Sequence, residues 1–198
     1  MFGKILIFVL RPILFLFHPY RMEGKERLTG VTGPVILCSN HLSNWDPVLL
    51  LLAQPRLIRF MAKEELFRFK PLGWALKRCF GAFPVARGKG DTGALETAEK
   101  LVKNGEVLGI FPEGTRSKSG GLQRFKSGTA LIAFRTGATV VPCGIDRRSR
   151  LFHRVTLRVG EPLTSAEMHL DGETPELRYA TRLMRERVQA LSGQEDAQ

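Results

Sequence analysis

Cysteine, tyrosine and tryptophan are scarce in this sequence: three, two and two among 198 residues. The cysteines, Cys38, Cys79 and Cys143, are odd in number and widely spaced, which argues against a disulfide framework and for reduced, buried thiols on the cytosolic side. Few tyrosines and tryptophans leave few platforms for stacking bases. Zinc-finger spacing and an aromatic RNP-like strand are also missing, so no nucleic-acid partner is expected. The four histidines, His18, His41, His153 and His169, fall in no ligand spacing such as His-Glu-x-x-His, and no catalytic metal is expected. Acidic residues are in the minority. Nineteen Asp and Glu stand against 30 Lys and Arg, a formal net charge of +11. With nucleic acid set aside, that excess suits an anionic membrane surface or phosphorylated substrates.

An apolar run of the ~20 residues that a transmembrane helix needs is also lacking. The nearest is Met1 to Phe17, where Lys4 and Arg11 are the only charges and Pro12 interrupts the run. It has the basic start and apolar core of a signal peptide, but no small-residue cleavage site follows. The favoured reading is a helix in the membrane interface, with Lys4, Arg11, His18 and Arg21 near the headgroups. Residues 1–21 are therefore expected to be a membrane-associated segment. The chain would then sit, peripheral or monotopic, at the cytoplasmic face of the cell membrane.

After that run the pattern alternates. Strands are expected at Val35–Cys38, Leu57–Met61, Ala82–Val85, Glu106–Phe111, Thr139–Ile145 and Arg154–Val159. Helices are expected at Asp46–Ala53, Pro71–Cys79, Asp91–Asn104 with Asp91 as N-cap, Ser127–Arg135 with a stop at Gly137, and Pro175–Leu191. The last is amphipathic, with Leu177, Ala180, Met184, Val188 and Leu191 on one face. Such alternation gives an α/β class: a single layered α/β/α domain over residues 22–191, with a mainly parallel or mixed sheet. Gly88-Lys89-Gly90 and Gly120-Gly121 are expected to be mobile loops, and residues 192–198 a disordered tail.

Two strand ends carry chemistry. Val35 to Cys38 runs into Ser39-Asn40-His41-Leu42-Ser43-Asn44-Trp45-Asp46-Pro47. A histidine and an aspartate thus share the loop leaving a strand, where open α/β sheets bind ligands. A neutral imidazole takes a proton from a hydroxyl, and a nearby carboxylate fixes its tautomer and stabilises the imidazolium. A histidine near an aspartate is often merely structural. The second end, Ile110-Phe111-Pro112-Glu113-Gly114-Thr115-Arg116-Ser117, has the same layout, and the two together point to one shared site.

These stretches carry a resemblance. Asn40-His41-x-Ser43-x-x-Asp46 resembles the His-x4-Asp block of the glycerolipid acyltransferases, and Phe111 to Ser117 resembles their second signature. Gly81-Ala82-Phe83-Pro84-Val85-Ala86-Arg87 resembles the block between them, with Pro84 and Ala86 in place of the bulkier or acidic residues usual there. Val141-Pro142-Cys143-Gly144-Ile145 resembles the last. The blocks fall in the family's order and spacing, and within it the 1-acyl-glycerol-3-phosphate acyltransferases are the best match.

The resemblance implies acyl transfer from a thioester, acyl-carrier protein or acyl-coenzyme A, to the sn-2 hydroxyl of a lysophosphatidic acid, giving phosphatidic acid without a cofactor. His41 is then the general base and Asp46 its orienter. Arg87, Glu113, Gly114, Thr115, Arg116 and Lys126 are the substrate-binding set. Guanidinium forks match phosphate oxygens, and Lys126 precedes a helix N-terminus that favours an anion. Glu113 either binds glycerol hydroxyls or locks Arg116 and the turn. Asn40 holds the loop or serves the chemistry. Two alternatives stay open: acylation of glycerol-3-phosphate or another lysolipid, and a non-catalytic module that binds anionic membranes.

Overall fold

The computed structural model describes residues 12, 15–53, 56–78, 81–85 and 92–197. Arg87, Cys79, Asp91, Gly88-Lys89-Gly90 and all of the N-terminal run except residues 12 and 15–17 lie outside them.

A seven-stranded sheet has the order β1-β7-β6-β2-β5-β3-β4. Its strands are β1 (Tyr20–Glu23), β2 (Val35–Ser39), β3 (Ile58–Lys63), β4 (Phe83–Val85), β5 (Val107–Ile110), β6 (Thr139–Ile145) and β7 (Val155–Val159). β2 lies at the centre, between β6 and β5 and parallel to both, with Leu37 opposite Val141 and Gly109. Every residue of β2 and β5 is buried. That is why these segments read as unbroken apolar runs and not as alternating ones: both faces of a parallel sheet are covered.

Alternate residues feed two cores. Ile36, Cys38, Leu108, Ile110 and Val140 face helices α4 (Thr92–Lys103), α5 (Gly128–Thr136) and α6 (Leu177–Ser192). Leu37, Val107, Val141 and Cys143 face the other way, onto α2 (Asp46–Ala53) and Leu28 of the short α1 (Glu26–Thr29). The result is an α/β/α arrangement. Among the described residues no helix is long and apolar enough to cross a membrane.

The sheet is mixed because β7 returns antiparallel to β6, with Gly144 opposite Arg158. The strand the sequence reading lacked is β1, parallel to β7 with Met22 opposite Leu157. Tyr20-Arg21-Met22-Glu23 alternates, with Tyr20 and Met22 packed against the core, but four residues are too short a run to announce a strand. It is an edge strand, tied by Arg158 Nε to Glu23 at 2.9 Å. The expected boundary between residues 21 and 22 therefore cuts a strand, and the domain begins by Tyr20.

The tail corrects another expectation. From Ser192 to Ala197 it is docked, not disordered. Leu122 N–H donates to Glu195 O at 2.8 Å and Ala197 N–H to Leu122 O at 3.1 Å, which also pins the Gly120-Gly121 loop. Asp196 takes Arg185 at 2.5 Å. The polar composition of Gln194-Glu195-Asp196 reads as solvated, but these groups find backbone and arginine partners that no local pattern reveals.

Because β2, β5, β3 and β4 run parallel, their C-terminal ends share one edge. The segments after Ser39, Ile110 and Lys63 leave the sheet there.

Candidate active site

The first loop folds back on itself. Asp46 opens α2 and is fully buried. Its Oδ2 accepts from Leu42 N–H at 2.6 Å, Ser43 N–H at 2.7 Å and His41 Nδ1 at 2.8 Å. Oδ1 has no partner among the described residues. An ionised carboxylate only accepts, so Nδ1 carries the proton and Nε2 keeps its lone pair. The His41 side chain is 17% exposed, so the ring is not sealed from a ligand. Ser43 helps to shape the turn, its Oγ accepting from Trp45 N–H at 2.9 Å.

His41 is held on every side. Its ring stacks on Phe111, centroids 4.1 Å apart and planes at 19°. Phe111 lies in turn 6.1 Å from Phe60. Phe60 pairs with Gly109 across β3 and β5, and a Cβ at Gly109 would collide with the Phe60 ring. Glycine there makes room for the aromatic stack behind the histidine. The His41 main chain is gripped too. Its N–H donates to Glu113 Oε1 at 2.7 Å, and its carbonyl accepts from Ser117 N–H at 2.8 Å.

Glu113 is 5% exposed, and its Oε2 accepts from Gln123 N–H at 3.2 Å. Burial pushes its carboxyl pKa upward, partly opposed by the hydrogen bonds from His41 and Gln123. Of its two expected roles the geometry supports a lock. What it locks is the His41 main chain, not Arg116. Gly114 has φ +73°, the left-handed region where glycine is at home. A Cβ there would lie 2.9 Å from Lys126 Nζ, so the lysine crosses directly over the turn.

Asn40 is structural. Wholly buried, it accepts Ile145 N–H and donates to Ile145 O, both at 2.8 Å. That extends the β2–β6 pairing by one side chain. Cys38 and Cys143 are buried. Burial drives the Cys38 thiol pKa upward and raises that of Cys143 to about 12. Such thiols are poor nucleophiles.

A base on a partly exposed histidine, joined through Glu113 to a glycine turn flanked by an exposed lysine and arginine, is an arrangement suited to proton removal near an anionic group. The Acyltransferase family model matches residues 20–146, a span that takes in both loops. The chain belongs to this acyltransferase family. It is 35% identical over 195 residues to the 1-acyl-sn-glycerol-3-phosphate acyltransferase of Bacillus subtilis, covering 94% of this chain and 95% of that one. The Streptococcus pneumoniae protein of the same name is 35% identical over 122 residues, 61% of this chain and 44% of its own length. The crystal structure of the 1-acyl-sn-glycerophosphate acyltransferase of Thermotoga maritima superimposes with a TM-score of 0.70 at 25% identity, covering 98% of this chain and 80% of that one.

In this acyltransferase the other expected binding residues divide. Thr115 and Arg116 are exposed and line an open groove with Lys118, Gln123 and Ala197 of the tail. Thr115 Oγ1 lies 3.3 Å from Gln123 Oε1. Lys126 is exposed above Gly114. Arg87 lies outside the described residues.

Sequence reasoning missed Gln123, Ser117 and Phe111 as parts of the acyltransferase site. Gln123 and Ser117 grip Glu113 and His41 through their main-chain N–H groups, while their side chains brace Thr115 and Gly120 of the same loop; neither residue type on its own signals that role. Phe111 had a signal: an aromatic ending a buried strand at the catalytic edge, next to the second signature.

Proposed function

We propose that the chain acylates the sn-2 hydroxyl of 1-acyl-glycerol-3-phosphate, giving phosphatidic acid for phospholipid synthesis. The observation that carries this reading is the His41 Nδ1–Asp46 contact of 2.8 Å, on a loop joined through Glu113 to the turn bearing Arg116. His41 Nε2 takes the hydroxyl proton as the oxygen attacks the thioester carbonyl. The tetrahedral intermediate then expels the thiolate, which takes the proton back from the imidazolium. A C–O bond forms and a C–S bond breaks. Asp46 stabilises the imidazolium between the two steps. No acyl-enzyme is needed. Cys38 is buried with a raised thiol pKa, and the Ser43 hydroxyl is engaged in its turn.

Arg116 and Lys126, with Arg87, hold the acceptor phosphate. The acyl donor is acyl-carrier protein or acyl-coenzyme A. The enzyme works at the cytoplasmic face of the membrane. Two exposed surfaces support that location. Phe15, Leu16, Phe17, Leu151 and Phe152 are all exposed, and Phe17 meets Phe152 through their rings, centroids 5.9 Å apart, and through Phe152 N–H to Phe17 O at 2.8 Å. Leu66, Phe69, Leu72 and Trp74 are 41–66% exposed on and around α3 (Lys70–Arg78), among Arg68, Lys70, Lys77 and Arg78. Apolar side chains rimmed by cations suit an anionic interface.

Purified protein assayed with lysophosphatidic acid and both thioester donors tests the reading directly. Phosphatidic acid with one donor is the expected product. No product with either donor would refute it. Preference for glycerol-3-phosphate or a phosphate-free lysolipid would move the assignment to another acceptor.

A further inference from the structure

The C-terminal tail touches both signature loops through a single side chain. It gets there because α6 ends hard against the sheet. A Cβ at Gly144 would collide with Leu191 and the Ser192 backbone, so glycine in β6 admits the helix end. Gly193 then takes φ +66° and caps α6, its N–H on Gln189 O at 2.9 Å, and turns the chain back across the loops. Gln194 Oε1 accepts from Asn40 Nδ2 at 2.5 Å, and Gln194 Nε2 donates to Gly120 O.

Asn40 directly precedes His41. Its amide has two hydrogens; Ile145 O takes one at 2.8 Å and Gln194 the other. On the far side, Gly120 belongs to the loop that starts at Glu113. That loop binds His41 N–H through Glu113 and His41 O through Ser117. Its outer edge finds its partners in the tail: Gly120 O on Gln194, Leu122 N–H on Glu195 O, Leu122 O on Ala197 N–H. Arg185 and Gln189 of α6 fix the tail by gripping Asp196 Oδ1 at 2.5 and 2.9 Å.

We infer that Gln194 is a positioning residue for acyl transfer. It sets His41, through Asn40, against the loop that carries Arg116. The inference rests on the reading of His41 as the base. Gln194 acts on the placement of the base and not on substrate affinity, so its loss falls on kcat and leaves KM. Misplacing a catalytic group by about 1 Å costs on the order of a hundredfold. A partial release through a buried neighbour is expected to cost about tenfold.

Two full-length variants test this with lysophosphatidic acid and the donor that the unaltered chain accepts. Gln194→Ala is expected to lower kcat about tenfold, with both KM values within about twofold. Gln194→Glu keeps the acceptor for Asn40 but sets an oxygen against Gly120 O. Its kcat, relative to the unaltered chain at the same pH, is expected to recover as pH falls from about 8 toward about 5, where a carboxyl facing a carbonyl oxygen takes up a proton and donates again. If Gln194→Ala fails to fold, the pH profile of Gln194→Glu carries the test. Unchanged kcat in Gln194→Ala, with His41→Ala inactive, overturns this inference alone. A Gln194→Glu profile parallel to that of the unaltered chain at every pH also overturns it. Full turnover in His41→Ala removes the base assignment and this inference together.

Discussion

Glu113 Oε1 accepts the backbone N–H of His41 at 2.7 Å, so the second signature loop holds the first by its main chain. The other oxygen, on Gln123 N–H at 3.2 Å, holds the second loop to itself. One buried carboxylate thus joins the base to the turn that carries the cationic groups. Glu113→Ala leaves both N–H groups without acceptors in a buried setting, at about 1–3 kcal/mol each. It is expected to lower stability and kcat together. Thermal unfolding alongside kinetics checks this; a stable, fully active variant would contradict it.

The same carboxylate gives a pH signature. Its folded-state pKa is raised by burial, so the folded protein binds that proton more tightly than the unfolded chain does. The favourable contribution is complete below the unfolded value, about 4.3, and is lost as pH rises through the higher folded value. Glu113→Gln does not titrate. Its stability relative to the unaltered chain is therefore expected to improve as pH rises through that window and to level off above it. Denaturant unfolding of both proteins at several pH values measures the trend, and the opposite slope would mean that Glu113 is stabilised as the anion.

His41→Ala is expected to abolish nearly all acyl transfer while keeping the fold, since Nε2 serves the reacting proton. Asp46→Asn is expected to be severe as well. The amide can present its NH2 to Nδ1 and so favour the wrong tautomer. Oδ2 also holds Leu42 and Ser43 N–H, so this variant disturbs the loop too. Circular dichroism and single-turnover acyl transfer distinguish lost chemistry from lost fold.

Much of this was legible because it depends on residue type and spacing. The parallel strands announce themselves as apolar runs, the helix stop at Gly137 is a left-handed cap, and the loop from His41 to Asp46 follows a buried strand. What escaped reading depends on contacts distant in the chain. β1 is only four residues long and is fixed by its pairing with β7. The tail is polar and finds Leu122 and Asn40. Asn40 is read correctly only once Ile145 is seen to pair with its amide. Glu113 resists reading for the same reason, since its partners are main-chain N–H groups.

Arg116 and Lys126 are both exposed and flank the Gly114 turn. Arg116→Ala and Lys126→Ala are expected to raise KM for lysophosphatidic acid about tenfold or more, since a charge-assisted contact is worth roughly 1.5–3 kcal/mol. An acceptor without the phosphate is expected to show little change. Arg87→Ala belongs to the same series. Equal losses on both acceptors would assign a structural role instead. Gly114→Ala is a steric probe of the same place. Its Cβ would crowd Lys126 Nζ at 2.9 Å in a left-handed backbone position, so both turn and lysine must shift.

The membrane prediction needs a cut that spares the site. His18 Nδ1 lies 3.0 Å from Ser149 Oγ, and its ring lies 4.1 Å from Trp45, inside the His41–Asp46 loop. Phe17 O accepts from Phe152 N–H. Deleting through His18 would therefore disturb the catalytic loop as well as the anchor, whereas removing residues 1–11 leaves these contacts in place. That truncation is expected to move protein from vesicles to the soluble fraction. It is also expected to lower activity on vesicle-borne lysophosphatidic acid more than on detergent micelles. The second surface is tested by Leu72→Glu and Phe69→Glu. Both side chains are exposed, at 41% and 66%, so neither change costs a packed core. Each introduces an acid that an anionic interface repels. Binding to anionic vesicles is expected to fall in both variants, and raised salt to strip part of what remains. Unchanged vesicle binding in the truncation and in both acidic variants would place the membrane contact on another face of the protein.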